Sequence, residues 1–323
     1  MGTKIIGTGS FVPDHVVTNN HLAELVETSD EWIRSRTGIA QRRISDSFGT
    51  SQMAAEASKR ALENAHVKPE DIDLIIAATS TPDCCFPSAA CEVQGILGAV
   101  NAVGMDVSAA CSGFIFALST VDAMIQTGMY KTALIIGVDN LSKIVDWSDR
   151  STCVLFGDGA GAAVVRACDE NGQGIIGGQI GSDGKKAAVL SCRSRTMGNF
   201  LTGKKPEPGY IVMEGQEVFK FAVKKVPECV ETLMESMGIG MDEVEYLILH
   251  QANYRICESI ARRLRISMDK IPMNIEKYGN TSGASIPLLL DELNREGKLK
   301  KGDKLVLAGF GAGLTWGAVL VEW

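Results

Sequence analysis

The chain contains 323 residues, 45% of them hydrophobic, so it is long enough to bury one large core or two modest ones. Its formal net charge of −7 at pH 7 argues against wholesale nucleic-acid binding, although a local basic patch is compatible with this balance. Aromatic residues make up only 6%, whereas glycine occurs 34 times. This composition favours closely packed α/β architecture over an aromatic surface for stacking bases.

Targeting and metal-binding patterns are missing from the sequence. The N-terminus runs from Met1 into a strand-like segment without the pattern of a signal peptide, and no run of about 18 apolar residues predicts a membrane span. The nine cysteines are scattered and form no C-x-x-C pair, so zinc is not indicated. We therefore expect a soluble cytoplasmic protein without metal, cofactor or membrane contact, in which eight of the nine cysteines are small buried residues.

The first half of the chain alternates apolar strands with helices. A strand near the N-terminus leads into Gly7 and Gly9. These lack the third glycine of a dinucleotide fingerprint and are followed by Pro13, so a tight turn is predicted. The next predicted elements are a helix at 51–65, a strand within 69–78, a strand at Val103–Val107, a helix at 113–127, a strand at 132–138 and a strand after the glycine-rich turn at 157–161. Because that turn precedes a strand, it offers no helix N-terminus to a pyrophosphate.

The second half repeats this order at a nearly constant distance. The acidic turn and strand at 69–78 (PEDIDLIIAA) recur 172 residues later at 241–250 (MDEVEYLILH), and Gly113 and Gly283, 170 residues apart, each open an apolar helix. The remaining elements are helices at 216–237 and 284–296, a strand at 304–309 and a final strand after 311. Continuously apolar strands indicate sheets covered on both faces. We predict an α/β fold of two duplicated halves, 1–168 and 169–323, with a site at their seam.

Cys111 is the strongest candidate nucleophile. It follows the strand at Val103–Val107 and immediately precedes a helix, where the helix dipole and free backbone N–H groups favour the thiolate. Taken alone, the residue is more typical of a small buried cysteine at a strand–helix junction.

Two further residues converge on Cys111 through the repeat. Of the four histidines, only His250 ends an apolar strand, at the position that Ala78 occupies in the first half. Asn280 lies next to the repeat position that faces Cys111. The pseudo-twofold arrangement therefore predicts that all three residues reach the seam, each from the end of a strand.

At these residues the whole chain resembles the β-ketoacyl-acyl-carrier-protein synthase III family of the thiolase-like superfamily. The matching segments are 109–114 (AACSGF), 156–162 (FGDGAGA), 250–253 (HQAN), 279–283 (GNTSG) and 309–317 (GFGAGLTWG). The resemblance implies a layered α-β-α-β-α thiolase-like architecture. It also implies decarboxylative condensation of an acyl-CoA primer, expected to be acetyl-CoA, with malonyl-acyl-carrier protein to initiate fatty-acid synthesis.

The resemblance assigns roles around the nucleophile. Cys111 would form the acyl-enzyme, and His250 and Asn280 would donate hydrogen bonds to the thioester oxygen during decarboxylation. Backbone N–H groups at Cys111 and in the turn at 311–313 would hold the acyl-transfer oxyanion. Ala312 stands where family members commonly carry glycine, so the fine geometry of that hole is in question. Phe310 resembles an aromatic gate beside the cysteine.

Binding residues are also implied by resemblance. The expected coenzyme A contacts are Thr28, Trp32, Arg36, Arg150 and Asn253, with Trp32 and Arg150 enclosing the adenine. The expected carrier-protein contacts are Lys220, Arg255, Arg262 and Arg263. An ordinary solvated helix face would explain the carrier-protein set equally well, whereas the alternative for Trp32 and Arg150 is a half-buried aromatic beside a surface arginine. Phe86 resembles a residue that caps the partner subunit's acyl pocket, which implies a homodimer. Phe86 and the stretch 185–215 are expected to govern the choice of primer.

Several rival functions use similar residues. Elongating synthases need a second histidine where Asn280 stands, and biosynthetic thiolases need a second cysteine near the C-terminus, which is absent. A Cys–His–Asn protease does not need the internal duplication. A non-catalytic scaffold predicts loss of one of the three residues, and all are present. A relative that serves a specialised-metabolite pathway keeps the same triad and stays open.

Overall fold

The computed structural model describes residues 2–169, 174–193, 201, 203–205, 207 and 209–323. The strands, in chain order, are β1 (Gly2–Phe11), β2 (Val16–Thr18), β3 (Gln41–Arg43), β4 (Leu74–Ala78), β5 (Val103–Val107), β6 (Thr132–Asp139), β7 (Gly159–Cys168), β8 (Gly174–Ser182), β9 (Leu190–Cys192), β10 (Ile211–Met213), β11 (Val244–Leu249), β12 (Lys304–Gly311) and β13 (Thr315–Glu322). The helices are α1 (Asn19–Ala23), α2 (Asp30–Thr37), α3 (Thr50–Ala65), α4 (Ala89–Leu97), α5 (Gly113–Gln126), α6 (Arg150–Cys153), α7 (Gly215–Met237), α8 (Tyr254–Leu264), α9 (Ile275–Tyr278) and α10 (Ser285–Arg295).

Two mixed sheets form the frame of the molecule. The first has the order β1-β7-β6-β4-β5 and the second β11-β12-β13-β8. β4 pairs in parallel with both β5 and β6, and β11 pairs in parallel with β12, whereas the β6–β7 and β12–β13 pairs are antiparallel. β6 is buried at every position, as expected for a strand covered by helices on both faces.

Five layers stack through the molecule. Helices α3 and α4 cover the outer face of the first sheet, and α7 and α8 cover the outer face of the second. Between the sheets lie α5 and α10, whose apolar side chains join those of both sheets in one core. The predicted layered α/β fold is confirmed. The predicted boundary between 1–168 and 169–323 stays a prediction, although each sheet draws its strands from one side of it.

A pair of short 3-10 turns marks the seam. We call Ala110–Ser112 the nucleophile turn and Ser282–Ala284 the twin turn; each leads into a central helix, α5 or α10. The two turns lie 172 residues apart, the same distance as β6 and β12. The predicted offset of 170 at this point was therefore wrong, and Cys111 corresponds to Gly283. The prediction failed because it aligned the glycines at 113 and 283 rather than the turns that precede the helices.

Close backbone contact holds the seam together. A Cβ on Gly137 of β6 would lie 2.1 Å from the Gly283 carbonyl oxygen, so only glycine lets the twin turn rest on this strand. Side by side, the two turns place the beginnings of both central helices at the same point between the sheets.

The second sheet has one strand fewer than the first. Asn280 follows the short helix α9 rather than a strand, so the prediction that it leaves a strand end was wrong. At the position equivalent to β5, the second half thus carries this helical turn, which packs against β3 and exposes Glu276 and Lys277. Within the described part of the chain, no helix has the length and apolar character needed to span a bilayer.

Candidate active site

Cys111 lies in the nucleophile turn, between β5 and α5, and is almost fully buried. Beside it, Ser112 anchors the turn by donating to the Thr315 hydroxyl of β13 at 2.8 Å. A Cβ on Gly311 would lie 2.7 Å from the Cys111 backbone nitrogen, so the absence of a side chain there lets the end of β12 lie against the nucleophile. The thiol is thus positioned by strands of both sheets.

His250 follows β11 directly and is held by its backbone N–H, which donates to the Ala308 carbonyl at 2.9 Å. Its ring meets the Phe310 ring edge-on, with 5.5 Å between the centroids. Burial lowers the pKa of His250 to about 3, and Nδ1 has no hydrogen-bond partner within the described residues. The imidazole is therefore neutral at physiological pH and retains one N–H donor.

Asn280 is fixed by the loop that precedes β7. Its backbone N–H donates to the Leu155 carbonyl at 2.9 Å, and its carbonyl accepts the Gly157 N–H at 3.0 Å. The side-chain Oδ1 accepts the Ser282 backbone N–H at 2.8 Å. Because the oxygen of the amide is occupied in this way, Nδ2 is the end left to act as a donor.

Cys111, His250 and Asn280 line one cavity of about 840 Å³ between the two halves. Phe310, Ala312 and Asn253 line it as well, as expected for a gate, an oxyanion turn and a substrate contact. The convergence of all three predicted triad residues on a single cavity is what the repeat predicted. Their individual chemical roles stay predictions.

Apart from Asn253, the predicted coenzyme A residues lie outside this cavity, around α2. The Arg150 guanidinium lies 5.0 Å from the centroid of the half-exposed Trp32 ring, a cation–π arrangement. Asn253 Nδ2 donates to the Arg36 carbonyl at 3.1 Å, which joins α8 to the end of α2. Thr28 Oγ1 is buried without a partner in the described structure. The set therefore forms one surface continuous with the cavity through Asn253.

Most of the four predicted carrier-protein residues have their charge partly neutralised by a neighbouring carboxylate, which the sequence did not suggest. Three of them form ion pairs with glutamates: Lys220 with Glu217, Arg262 with Glu258 and Arg263 with Glu228. Arg255 instead donates through Nε to the Ser35 carbonyl at 3.2 Å. Of these four residues, Arg255 is therefore the one without an ion pair among the described residues, and docking of a carrier protein there stays a prediction.

Phe86 is 87% exposed and does not line the cavity of its own chain. Its neighbours Cys84 and Cys85 do line it, together with Cys192. All three are exposed, as is Cys91, so the expectation of eight buried cysteines was wrong for these four. The segment around 84–86 leaves the end of β4 as a loop, where side chains face the cavity mouth and solvent rather than a core. Of the stretch 185–215, residues 194–200, 202, 206 and 208 lie outside the described residues.

Burial also overrides the expected activation of the nucleophile. It raises the pKa of the Cys111 thiol to about 12, whereas the helix terminus alone favours a lower value. The thiol is therefore protonated at physiological pH, and forming the nucleophile requires an acceptor for its proton.

Sequence reasoning missed two buried polar residues beside the nucleophile, Asp139 and Ser282. Asp139 is the last residue of β6, and Ser282 follows Asn280 by two positions. Ser282 was visible only as part of the matching segment 279–283. Asp139 occupies the same position in the first half that Gly311 occupies in the second half. This equivalence could have drawn attention to Asp139.

A layered α/β protein with a buried Cys–His–Asn cavity between duplicated halves is a thiolase-like condensing enzyme in its architecture. Residues 105–184 match the family described as 3-Oxoacyl-[acyl-carrier-protein (ACP)] synthase III, and residues 234–323 match the family described as its C terminal part. The beta-ketoacyl-[acyl-carrier-protein] synthase III of Clostridium acetobutylicum is 52% identical, with 99% of this chain and 98% of that protein covered. The chain belongs to the 3-oxoacyl-[acyl-carrier-protein] synthase III family, whose members are acyl-transferring condensing enzymes.

Solved structures agree with this assignment. The crystal structure of 3-oxoacyl-[acyl-carrier-protein] synthase III from Aquifex aeolicus VF5 has a TM-score of 0.93 at 46% identity, with both chains covered completely. The priming beta-ketosynthase from the R1128 polyketide biosynthetic pathway has a TM-score of 0.91 at 36% identity, with 99% of this chain and 96% of that chain covered.

The neutrality of His250 gives the folded state a characteristic pH dependence. The unfolded chain binds a proton on this histidine below about pH 6.5, whereas the folded protein does not until about pH 3, so this contribution to stability is lost as the pH falls. Between pH 7 and pH 5, the free energy of unfolding of the wild type should fall by about 2 kcal/mol more than that of His250→Asn. Urea unfolding at both pH values measures this difference, with the exposed His66→Asn variant as control. Parallel changes in wild type and His250→Asn would contradict a neutral, buried imidazole.

Proposed function

We propose that this chain initiates fatty-acid synthesis by condensing an acyl-CoA primer, acetyl-CoA in the first instance, with malonyl-acyl-carrier protein through an acylated Cys111. The observation that carries the proposal is the meeting of Cys111, His250 and Asn280, drawn from both halves, in one cavity. Every catalytic group in this scheme comes from the chain itself and acyl-CoA is a substrate, so the reaction needs no cofactor.

In the first step, the sulfur of Cys111 attacks the thioester carbonyl and displaces coenzyme A. The oxyanion that forms needs N–H donors, and those of Cys111 and Ala312 are the candidates. The twin turn supports this role for the Cys111 N–H. Its counterpart there, the Gly283 N–H, donates to a carboxylate oxygen of Asp139 at 3.4 Å, so this turn geometry presents an N–H to a negative oxygen.

In the second step, the malonyl group loses carbon dioxide and negative charge develops on its thioester oxygen. A neutral His250 and the Nδ2 of Asn280 supply two donors for that oxygen without carrying a charge of their own. The enolate carbon then attacks the acyl-cysteine and releases Cys111. An elongating synthase would use a second histidine at this point, whereas this chain offers an amide.

Binding of the two substrates follows the surfaces around the cavity. The Trp32–Arg150 pair suits the adenine of coenzyme A, because a base can stack on either planar group. Asn253 joins that surface to the cavity, where the pantetheine arm would pass. Arg255 lies at the beginning of α8, near the same mouth, and its charge suits an acidic carrier protein.

The active unit is proposed to be a homodimer. β5 is the outermost strand of the first sheet and has one strand neighbour in the described structure. Val100 and Val103 at its start are exposed, as is Ile96 on α4. An open strand edge flanked by exposed apolar side chains is well suited to pairing with a second copy. Such pairing is also what would bring Phe86 to the partner's acyl pocket.

A second function is favoured by one comparison. The resemblance to the priming ketosynthase of a polyketide pathway is compatible with a role in specialised metabolism through the same triad. A panel of acetyl, branched and longer acyl-CoA primers with malonyl-acyl-carrier protein distinguishes the two. Strong preference for a long or unusual primer would favour the specialised role.

Incubation with acetyl-CoA tests the acyl-enzyme directly. Intact mass should increase by one acetyl group in the wild type, because the thiol is the only proposed attachment point. The adduct should disappear in Cys111→Ala and persist in Cys91→Ala, which removes an exposed thiol outside the cavity. If no acyl-CoA of the panel gives an adduct, the proposed function is wrong.

The division of labour in the cavity predicts a selective defect in Asn280→Ala. Acylation of Cys111 should change less than tenfold, whereas condensation should fall by about 10²–10³, the usual cost of removing one oxyanion donor. Intact mass after acetyl-CoA measures the first step, and release of carbon dioxide from malonyl-acyl-carrier protein measures the second. Equal loss in both steps would contradict the role of Asn280 in decarboxylation.

Charge reversal tests docking of the carrier protein. Arg255→Glu should raise KM for malonyl-acyl-carrier protein by about tenfold or more at low salt while leaving KM for acyl-CoA unchanged. Lys301→Glu makes the same charge change at an exposed position outside α8 and the cavity, and it should behave like the wild type. Unchanged kinetics in Arg255→Glu would remove this face from the docking site.

A further inference from the structure

The strongest feature not used by the proposed reaction is a buried carboxylate beneath the nucleophile. Asp139, at the end of β6, is fully buried, and no ion pair of the described residues includes it. Its Oδ1 accepts the Ser80 backbone N–H at 2.7 Å and the Thr79 and Thr81 hydroxyls at 3.2 and 3.1 Å. Its Oδ2 faces the twin turn across the seam. A carboxylate held in this way costs desolvation that a purely structural polar residue would avoid.

Ser282 connects this carboxylate to the reacting sulfur. Ser282 lines the cavity with Cys111, the twin turn rests against the nucleophile turn, and the next residue, Gly283, donates its backbone N–H to Asp139 Oδ2 at 3.4 Å. The Ser282 hydroxyl is therefore close enough to interact with both the Asp139 carboxyl and the Cys111 thiol. A hydroxyl carries only one proton, so one that donates to the carboxylate can only accept from the thiol, which would give a directed path from the Cys111 S–H through Ser282 Oγ to Asp139.

The backbone conformation is unusual both at Ser282 and at the residue that precedes Cys111. Ser282 has a φ of +52° and Ala110, which precedes Cys111, has a φ of +46°. Both positions carry a side chain in a region that L residues seldom adopt, at a cost of roughly 1–3 kcal/mol each. The two residues occupy equivalent first positions of the nucleophile turn and the twin turn, so the same unusual backbone conformation brings Cys111 and Ser282 to the seam.

We propose that Ser282 and Asp139 form a proton relay that accepts the proton of Cys111 as the thiol attacks the acyl donor. The inference rests on the proposed acyl-cysteine reaction and adds the group that activates the nucleophile. Ser282 contacts the reacting sulfur. Asp139 acts through Ser282 and is a positioning residue that also stores the proton.

The proton and electron balance of both steps closes. During acylation the S–H bond breaks, its proton moves to Ser282 Oγ, and the serine proton moves to Asp139. The sulfur forms its bond to the thioester carbon, and coenzyme A leaves as a thiolate that takes a proton from water. When the enolate later attacks the acyl-cysteine, the bond from carbon to Cys111 breaks, and the sulfur recovers its proton from Asp139 through Ser282.

Acid–base properties around the site support this direction of transfer. Burial raises the pKa of Asp139 above its ordinary range, which makes the carboxylate a better base, whereas burial lowers the pKa of His250 to about 3. The titratable groups on the neighbouring elements are Cys111, His250, Lys143 and Asp158. Lys143 Nζ is bonded to Asp83 and to Thr50 and Thr81 oxygens rather than to Asp139.

The relay is tested by the rate of a single acylation of Cys111 by acetyl-CoA between pH 5.5 and 9, measured by rapid quench and intact mass. The wild-type rate should level off once Asp139 is ionised. In Asp139→Asn, which keeps the shape but cannot take a proton, acylation at pH 7 should be about 10²–10³ slower. The rate should also climb about tenfold per pH unit, as hydroxide replaces the missing base. Ser282→Ala should show the same profile with the carboxylate intact.

Outcomes of this experiment separate the relay from a structural role and from the proposed function. The relay is refuted if either variant, folded as judged by its unfolding midpoint, acylates within threefold of the wild type. A loss that is equal at every pH also refutes it, because displacement of Cys111 would slow the reaction without changing the profile. Ser282→Ala decides the matter if Asp139→Asn does not fold. Failure of the wild type to acylate at all would instead remove the proposed function.

Discussion

The geometry of this protein depends on backbone contact between its two halves. A Cβ on Gly137 would lie 2.1 Å from the Gly283 carbonyl oxygen, and one on Gly309, the counterpart of Gly137 in the repeat, would lie 3.3 Å from the His250 Cβ and 3.8 Å from the Cys111 carbonyl oxygen. Each central strand therefore supports the turn of the opposite half. Cys111 is held by packed sheets rather than by a surface loop, which gives a nucleophile the precision that catalysis demands.

The proposed catalysis uses only one of the two equivalent positions, and the difference between them lies in a few side chains. Gly311, from the second half, lies beside the nucleophile turn of the first half. The equivalent residue of the first half is Asp139, which lies beside the twin turn of the second half. The carboxylate fills the space over the twin turn, while the glycine leaves the space over Cys111 open for a substrate. His250 likewise occupies the strand end at which the first half carries Ala78, so one seam position became a cavity and the other a buried polar cluster.

The repeat explains how much could be predicted from sequence. It predicted the layered fold and brought Cys111, His250 and Asn280 together, because a duplicated α/β unit places equivalent strand ends at one seam. It could not predict α9, since one missing edge strand leaves no trace in apolar periodicity. Exposed Cys84, Cys85 and Cys192 also eluded it, because cysteine favours burial only on average. Asp139 eluded it too, since one acidic residue at the end of an apolar strand also matches an ordinary loop entrance.

Charge is the property that the sequence alone described least well. Helix position suggested a thiolate at Cys111, but burial keeps both Cys111 and His250 neutral. Charge then develops only as bonds form and break during the reaction. In these buried surroundings, each hydrogen bond that an N–H group donates is stronger than it would be in water. Asn280 fits this arrangement better than a second histidine, because an amide cannot be protonated at physiological pH. The Ser282 N–H holds its oxygen, so its nitrogen remains a donor at every stage of the reaction. In the proposed reaction, Ser282 thus orients the decarboxylation donor with its backbone N–H and serves the nucleophile with its hydroxyl, which would couple the two half-reactions through a single turn.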